Sequence, residues 1–121
     1  MDIPIPLPSY KTWRHGEIDK KTEALILDSN FDYDGEKFSL SSDSRAEWLG
    51  LKTLESSLAW PVILPTITGG YYTLVQANLD GFINAGLLVY RSYKQSSRLL
   101  KEQIDACATL EEAAAIVDDR T

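Results

Sequence analysis

Hydrophobic and small residues in the second half of the chain recur in alternating steps of four and three, which is the spacing of one face of an α-helix. The row starts at Leu79 and continues through Ile83, Gly86, Tyr90, Tyr93, Ser97, Leu100, Ile104 and Cys107. It predicts a long helix over residues 77–108 whose buried side is this row. A capping box at residues 109–112 predicts a short closing helix directly afterwards, with its apolar face formed by Ala113, Ala114 and Val117.

Two pairs of short β-rich segments flank glycine turns and predict two β-hairpins. The first turn is Asp34-Gly35, a pair typical of a type I′ turn because both central residues need positive φ. The residues of this hairpin expected to be buried are Phe31, Tyr33, Phe38 and Leu40. The second hairpin pairs residues 62–64 with 71–74 around Gly69-Gly70.

A helix is predicted from Asp43, as its N-cap, to about Ser57. Its apolar face would be formed by Trp48, Leu51, Leu54 and Leu58. The segment 17–29 reads as either a short helix or a strand, since its apolar run is too short to decide. Most of the remaining aromatic residues are expected in the core, among them Trp60, Tyr71 and Tyr72.

The first residues alternate a hydrophobic residue with proline: Ile3, Pro4, Ile5, Pro6, Leu7 and Pro8. Each proline fixes φ and restricts the residue before it, so an extended conformation is expected. Either this terminus is unstructured and without function, or it is an arm that lies on a neighbouring subunit. We favour the arm, over residues 1–16, with Trp13 as its candidate anchor on the partner.

These elements together predict an α+β fold. It has two short β-hairpins packed with three main helices, which include the long C-terminal helix and the short closing helix. The extended proline-rich arm of residues 1–16 precedes one domain over residues 17–121.

The chain has 121 residues and a formal net charge of −6. This charge argues against a protein that binds duplex DNA or an anionic membrane, because both usually carry a basic footprint. No apolar run approaches the length of a membrane span, and the N-terminus lacks the features of a signal peptide. The expectation is a protein made and assembled in a cytoplasm, without nucleic acid or membrane partners.

Catalytic and metal sites are not expected. Residues 30–35 match the start of an EF-hand loop, but position twelve is Ser41 instead of the bidentate glutamate that closes the cage. The only histidine, His15, lies beside the arm, and the only cysteine, Cys107, lies in the helical row. We therefore predict no enzyme activity, no cofactor and no metal.

A row of basic residues lies beside the buried side of the long helix, one position further along. It contains Arg91, Lys94, Arg98 and Lys101. It is either an ordinary solvated face or a docking surface for an acidic partner, which includes a second copy of this acidic chain. Together with residues 3–8 and Trp13, these four residues are the candidate partner-binding residues.

Two stretches resemble a domain-of-unknown-function family of phage and prophage tail proteins. The first comprises residues 31–38, a strand–glycine turn–strand, and residues 41–45, an Asp-x-x-Ser-Arg-like helix start. The second comprises residues 99–109, a Leu-Lys-x-x-Ile-like helix with a threonine cap, and the closing helix that begins at Leu110. The family has no catalytic residues to carry over, and the prolines of residues 4–8 lie outside the resemblance.

The resemblance implies a tail, baseplate or fibre assembly. The first hypothesis is a structural virion protein of a phage tail, present in several copies or as a homo-oligomer and assembled in the host cytoplasm, that joins baseplate or tail-tip and fibre proteins. The second is a tail-fibre assembly chaperone that is absent from the particle. A regulatory or host-takeover binding protein is a third hypothesis, and an enzyme ranks last. The arm favours the first hypothesis, whereas a chaperone should carry a large exposed groove or helix face.

Overall fold

The computed structural model describes residues 5–121 and confirms the α+β fold. Four helices and two antiparallel two-stranded sheets make up this part of the chain, in the order α1 (Leu7–Leu27), β1 (Asn30–Tyr33), β2 (Glu36–Ser39), α2 (Ser42–Thr53), β3 (Val62–Pro65), β4 (Tyr71–Leu74), α3 (Leu79–Asp105) and α4 (Leu110–Ala115). The chain divides into two compact units, one of Met1–Leu25 with Ser92–Thr121 and one of Ile26–Arg91. No helix among residues 5–121 is long and apolar enough to cross a membrane.

The extended arm predicted for residues 1–16 is not confirmed, because residues 7–16 belong to α1. The backbone N–H of Tyr10 donates to the carbonyl of Pro6 at 3.0 Å, so the helix begins directly after Pro6. Pro8 falls in the first turn, where N–H groups have no partner within the helix and a missing donor costs little. Proline disrupts a helix only at interior positions, where its missing N–H removes a backbone hydrogen bond. The segment 17–29 is helical as far as Leu27.

The first hairpin is confirmed, with Phe31 opposite Phe38 in its register. Asp34 and Gly35 both have positive φ, 52° and 79°, as a type I′ turn requires. Phe31 and Phe38 are buried, and Leu40 is buried with them, whereas Tyr33 is half-buried. Aromatic rings therefore form the core of the Ile26–Arg91 unit.

The N-cap of α2 is Ser41 and not Asp43. The Ser41 side chain accepts a hydrogen bond from the backbone N–H of Ser44 at 3.2 Å, and Asp43 lies in the first turn, where its charge favours the helix dipole. The helix ends at Thr53, and a 3₁₀ turn follows at Glu55–Ser57. Because the helix stops early, Leu54 lies past its end and is exposed.

The second hairpin is confirmed, with Ile63 opposite Thr73 and Pro65 opposite Tyr71. Only Leu64 and Leu74 of its strand residues are buried. Tyr71 is 78% exposed, so its expected place in the core is wrong. Alternation explains the error, because Tyr71 and the half-buried Tyr72 point to opposite faces of the strand.

The predicted helical row is confirmed, since all nine positions are buried or half-buried. The helix is shorter than predicted, because α3 spans Leu79–Asp105 and Cys107 lies two residues past its end. In the unit formed by the two chain ends, Ile18, Ile104 and Ala113 form a buried cluster. The partly buried residues packed against this cluster are Leu7, Tyr10, Leu100, Cys107 and Ile116. The predicted Thr109 cap of α4 is confirmed, with its side chain accepting from the N–H of Glu112. Of the predicted apolar face of α4, only Ala113 is buried, whereas Ala114 and Val117 are exposed. Ile116, the C-cap residue, packs against the cluster instead.

The last residues of the same unit are held by charged groups. The Arg120 guanidinium donates to both carboxylate oxygens of Asp118, at 2.8 Å and 2.7 Å. Arg120 also donates to the Ser96 hydroxyl at 3.0 Å, and Lys21 donates to the Asp118 carbonyl at 2.6 Å. The hydrogen bonds from Arg120 hold the pKa of Asp118 below its usual range. The C-terminal segment is therefore tied to its own unit.

Candidate protein-binding groove

The candidate arm residues do not form one surface. Ile3 and Pro4 lie outside the described residues, and Ile5, Pro6 and Pro8 are exposed. Leu7 packs against the core cluster of its own unit. It therefore does not extend towards a neighbouring subunit, as a residue of an arm would.

Trp13, the proposed anchor, lies on the surface of α1 and is 58% exposed. Its ring lies 5.8 Å from that of Tyr10, centroid to centroid, at a tilt of 44°. An exposed tryptophan can anchor a protein partner, so the proposed role of Trp13 stays a prediction.

The basic row along α3 is partly compensated by carboxylates of the same chain. Lys101 forms an ion pair with Asp19, and the Arg98 Nε lies 3.6 Å from Glu102 Oε1, one turn further along the helix. Lys94 is exposed. A docking role for the whole row stays a prediction, and its compensated members have less charge to offer a partner.

An open apolar surface lies elsewhere, between α2 and the part of α3 that belongs to the Ile26–Arg91 unit. We call it the α2–α3 groove. It has a volume of about 340 Å³ and is lined by Arg45, Trp48, Leu49, Lys52, Ile83, Leu87 and Tyr90. Leu49 is 70% exposed beside it, and Leu88, which lines an adjoining depression with Leu87, is 72% exposed. Contiguous exposed leucines of this kind are typical of an interaction surface.

Gly86 leaves room on α3 for the indole of Trp48, which belongs to α2. A Cβ atom at this position would lie 2.6 Å from Cη2 and 2.9 Å from Cζ3 of Trp48, and 3.1 Å from Cε1 of Phe31. Only a residue without a side chain leaves room for the indole. Trp48 in turn packs edge-on against Phe31, with centroids 5.1 Å apart at 89°. The back of the groove is therefore a fixed aromatic wall.

The rim of the groove is cationic. The Arg45 guanidinium carbon lies 4.7 Å from the centroid of the Tyr90 ring, and its Nε donates to the Leu40 carbonyl at 3.0 Å, so this cation is held in place. Arg91 lines the adjoining depression and is exposed. The Arg91 side chain makes no hydrogen bond or ion pair with the other described residues. The exposed charge of Arg91 favours an occupant that carries carboxylates.

The third cation on the rim, Lys52, is compensated within the chain. Its ammonium donates to Asp80 at 2.8 Å and to Glu55 at 3.0 Å. The hydrogen bonds to Asp80 and then to Glu55 raise its pKa above the ordinary value. Lys52 therefore shapes the rim but contributes little free charge to a partner.

The groups that could carry chemistry have ordinary structural contacts. His15 Nε2 lies 2.8 Å from Asp105 Oδ1, and the Cys107 thiol donates to the Gln103 carbonyl at 3.2 Å. Across residues 5–121, no three histidine, cysteine, aspartate or glutamate residues come together to hold a metal ion.

The sequence patterns did not predict the groove. The predicted row along α3 contains Ile83 and Tyr90 but assigns them to the buried side, and Leu49, Leu87 and Leu88 have no predicted role. A signal was nevertheless present, because the leucines at positions 87 and 88 fall outside the predicted row. Apolar residues that a helix cannot bury with its main row are candidates for a second, exposed face.

A scan of the chain against protein-family models found no match, and searches of the curated proteins and of the solved structures found no similar protein.

Proposed function

We propose that this chain is a non-enzymatic assembly protein of a phage tail that binds another tail protein through the α2–α3 groove. The observation that carries the binding role is the pair of leucines, Leu49 and Leu88, exposed beside an apolar groove with a fixed aromatic wall. The phage-tail setting rests on the resemblance in residues 31–45 and 99–113 alone.

The proposed occupant is an amphipathic helix of the partner that carries acidic residues beside its apolar face. A groove between two helices suits a third helix, whose apolar side chains recur every three or four residues. Carboxylates on that helix would meet the exposed Arg91, which would fix the orientation of the helix and make its rate of association depend on salt. An apolar helix with a basic flank would be repelled by Arg91.

Two settings remain for this binding. The extended arm favoured the hypothesis of a permanent virion protein. Residues 7–16 no longer support that hypothesis, because they are helical. A tail-fibre assembly chaperone needs an exposed groove that is open in the unbound protein, and the α2–α3 groove supplies this feature. The chaperone is therefore the second candidate, with an observation in its favour.

Mass spectrometry of purified particles separates the two settings. Stoichiometric recovery of the chain supports a virion protein, and its absence from particles that require it for assembly supports the chaperone. If particles assemble normally without the chain and do not contain it, the tail-assembly proposal is wrong.

A photo-reactive amino acid at position 88 tests the groove in infected cells, with the same residue at the exposed position 28 as control. We expect a cross-link to an apolar, acidic helix of one tail protein, and we expect Leu49→Gln to reduce it. A cross-link of equal yield from position 28, or a cross-linked peptide without this character, would count against the proposed occupant. A cross-link to a second copy of the chain would replace the occupant by a homo-oligomer contact.

A further inference from the structure

A second pocket lies in the same unit, on the neighbouring side of α2. It has a volume of about 210 Å³, and its lining includes the rings of Phe38, Trp48 and Phe82. α2 contributes Asp43 and Glu47 to it, one helical turn apart and so on one face. The groove instead takes residues 45, 49 and 52 of α2, and Trp48 lies between the two sites.

The aromatic rings of this pocket are held in fixed edge-to-face contacts. Phe38 and Phe82 lie 5.0 Å apart, centroid to centroid, at 88°, and Trp48 and Phe82 lie 6.0 Å apart at 86°. All three residues are buried, so the pocket has a preformed wall.

The two carboxylates at the pocket are without an internal partner. Asp43 and Glu47 are both exposed, and no hydrogen bond or ion pair of the described residues engages either side chain. An anionic group would be repelled here, and a neutral apolar side chain would leave both charges unmatched. A long basic side chain satisfies the whole site, because its methylene stem can lie on the apolar wall and its cation can meet the carboxylates.

We infer that this pocket holds a lysine or arginine side chain of a protein partner. Its wall of Phe38, Trp48 and Phe82 contacts the stem, and Asp43 and Glu47 bind the charged head. The pocket is separate from the α2–α3 groove, so the inference does not depend on the proposed function.

The test is an NMR titration of the full chain with Nα-acetyl-lysine methylamide at low ionic strength, where screening is weak. The norleucine analogue, which has a similar stem and no charge, is the matched probe. We expect the lysine derivative to shift the amide signals of Asp43, Glu47 and Trp48 saturably and the norleucine derivative to leave them unchanged. Equal shifts from both probes, or lysine shifts that map elsewhere, would overturn the inference.

The variant Asp43→Asn with Glu47→Gln keeps the pocket's shape and removes its charge. Two exposed ion pairs predict roughly twofold to thirtyfold weaker lysine binding in this variant. The control Asp28→Asn with Asp119→Asn makes the same change in net charge at exposed residues that do not line the pocket, and it should bind as the parent does. The inference is refuted if both double variants bind the lysine derivative equally well.

Discussion

Replacing Gly86 by alanine tests the contact between this position of α3 and the indole of Trp48 in α2. The added Cβ would lie 2.6 Å from Cη2 and 2.9 Å from Cζ3 of Trp48, distances at which atoms must move. The indole has little freedom to do so, because Trp48 is 4% exposed and packs edge-on against Phe31. Overpacking of this kind costs about 1–3 kcal/mol. The change also replaces glycine by alanine within a helix, which contributes about 0.8–1 kcal/mol in the opposite direction.

Gly50→Ala is the matched control, because Gly50 lies in α2 of the same unit and a Cβ there would meet no atom within 4 Å. It should stabilise the protein by up to about 1 kcal/mol. The difference between the two variants isolates the steric cost, so Gly86→Ala should be less stable than Gly50→Ala by about 1–3 kcal/mol. Urea unfolding followed by far-ultraviolet circular dichroism measures both, with the slopes compared to check that the unfolding transition is unchanged.

A double-mutant cycle identifies the atoms responsible. Trp48→Phe removes the distal six-membered ring, which contains Cη2 and Cζ3, so the cost of Gly86→Ala should largely disappear in that background. If Gly86→Ala is as stable as Gly50→Ala, or if its cost is unchanged in the Trp48→Phe background, the predicted steric conflict between residue 86 and Trp48 is refuted.

Three further predictions concern other parts of the chain. Burial, and after it the hydrogen bond to Asp34, raises the pKa of Tyr72 to about 12. An absorbance titration should therefore show a phenol that ionises near that pH and is missing in Tyr72→Phe. An identical titration curve in the variant would contradict this. The pKa of Asp118 is lower in the folded state, so its ion pair stabilises the protein above the ordinary carboxyl pKa and this contribution is lost as the pH falls through the folded pKa. Arg120→Ala should therefore lower the free energy of unfolding by about 2–3 kcal/mol at neutral pH, somewhat less than the loss of a fully buried ion pair. The variant should also show a weaker decrease of stability as the pH falls. Equal losses of stability at neutral and strongly acidic pH would refute the assignment. The dye ANS is apolar and anionic, like the proposed occupant of the groove, and Leu88→Gln should reduce its fluorescence enhancement; unchanged enhancement would place the dye elsewhere.

Local sequence signals predicted most of the fold. The Asp34-Gly35 turn needs positive φ at both residues, and few alternatives satisfy that requirement. The row along α3 was long enough for its period to be unambiguous. The prediction of an extended N-terminal segment was wrong for residues 7–16, because the rule against proline in helices does not apply to the first turn, where Pro8 lies. Helix α1 continues beyond its first turn because Leu7 and Ile18 pack in one cluster with Ile104. Local sequence patterns do not predict such a contact between distant parts of the sequence.

The candidate sites were less predictable than the fold, because each depends on which side chains outside the predicted core rows the packing brings together. Leu49 and Leu87 are far apart in sequence, and they line one groove because Gly86 admits the indole of Trp48 between α2 and α3. Trp48 itself was predicted correctly as a core residue, yet it also forms the wall shared by the groove and the acidic pocket. A buried side chain that is fixed before a partner arrives loses little conformational entropy on binding. The same packing that stabilises this unit therefore prepares both of its surfaces for contact.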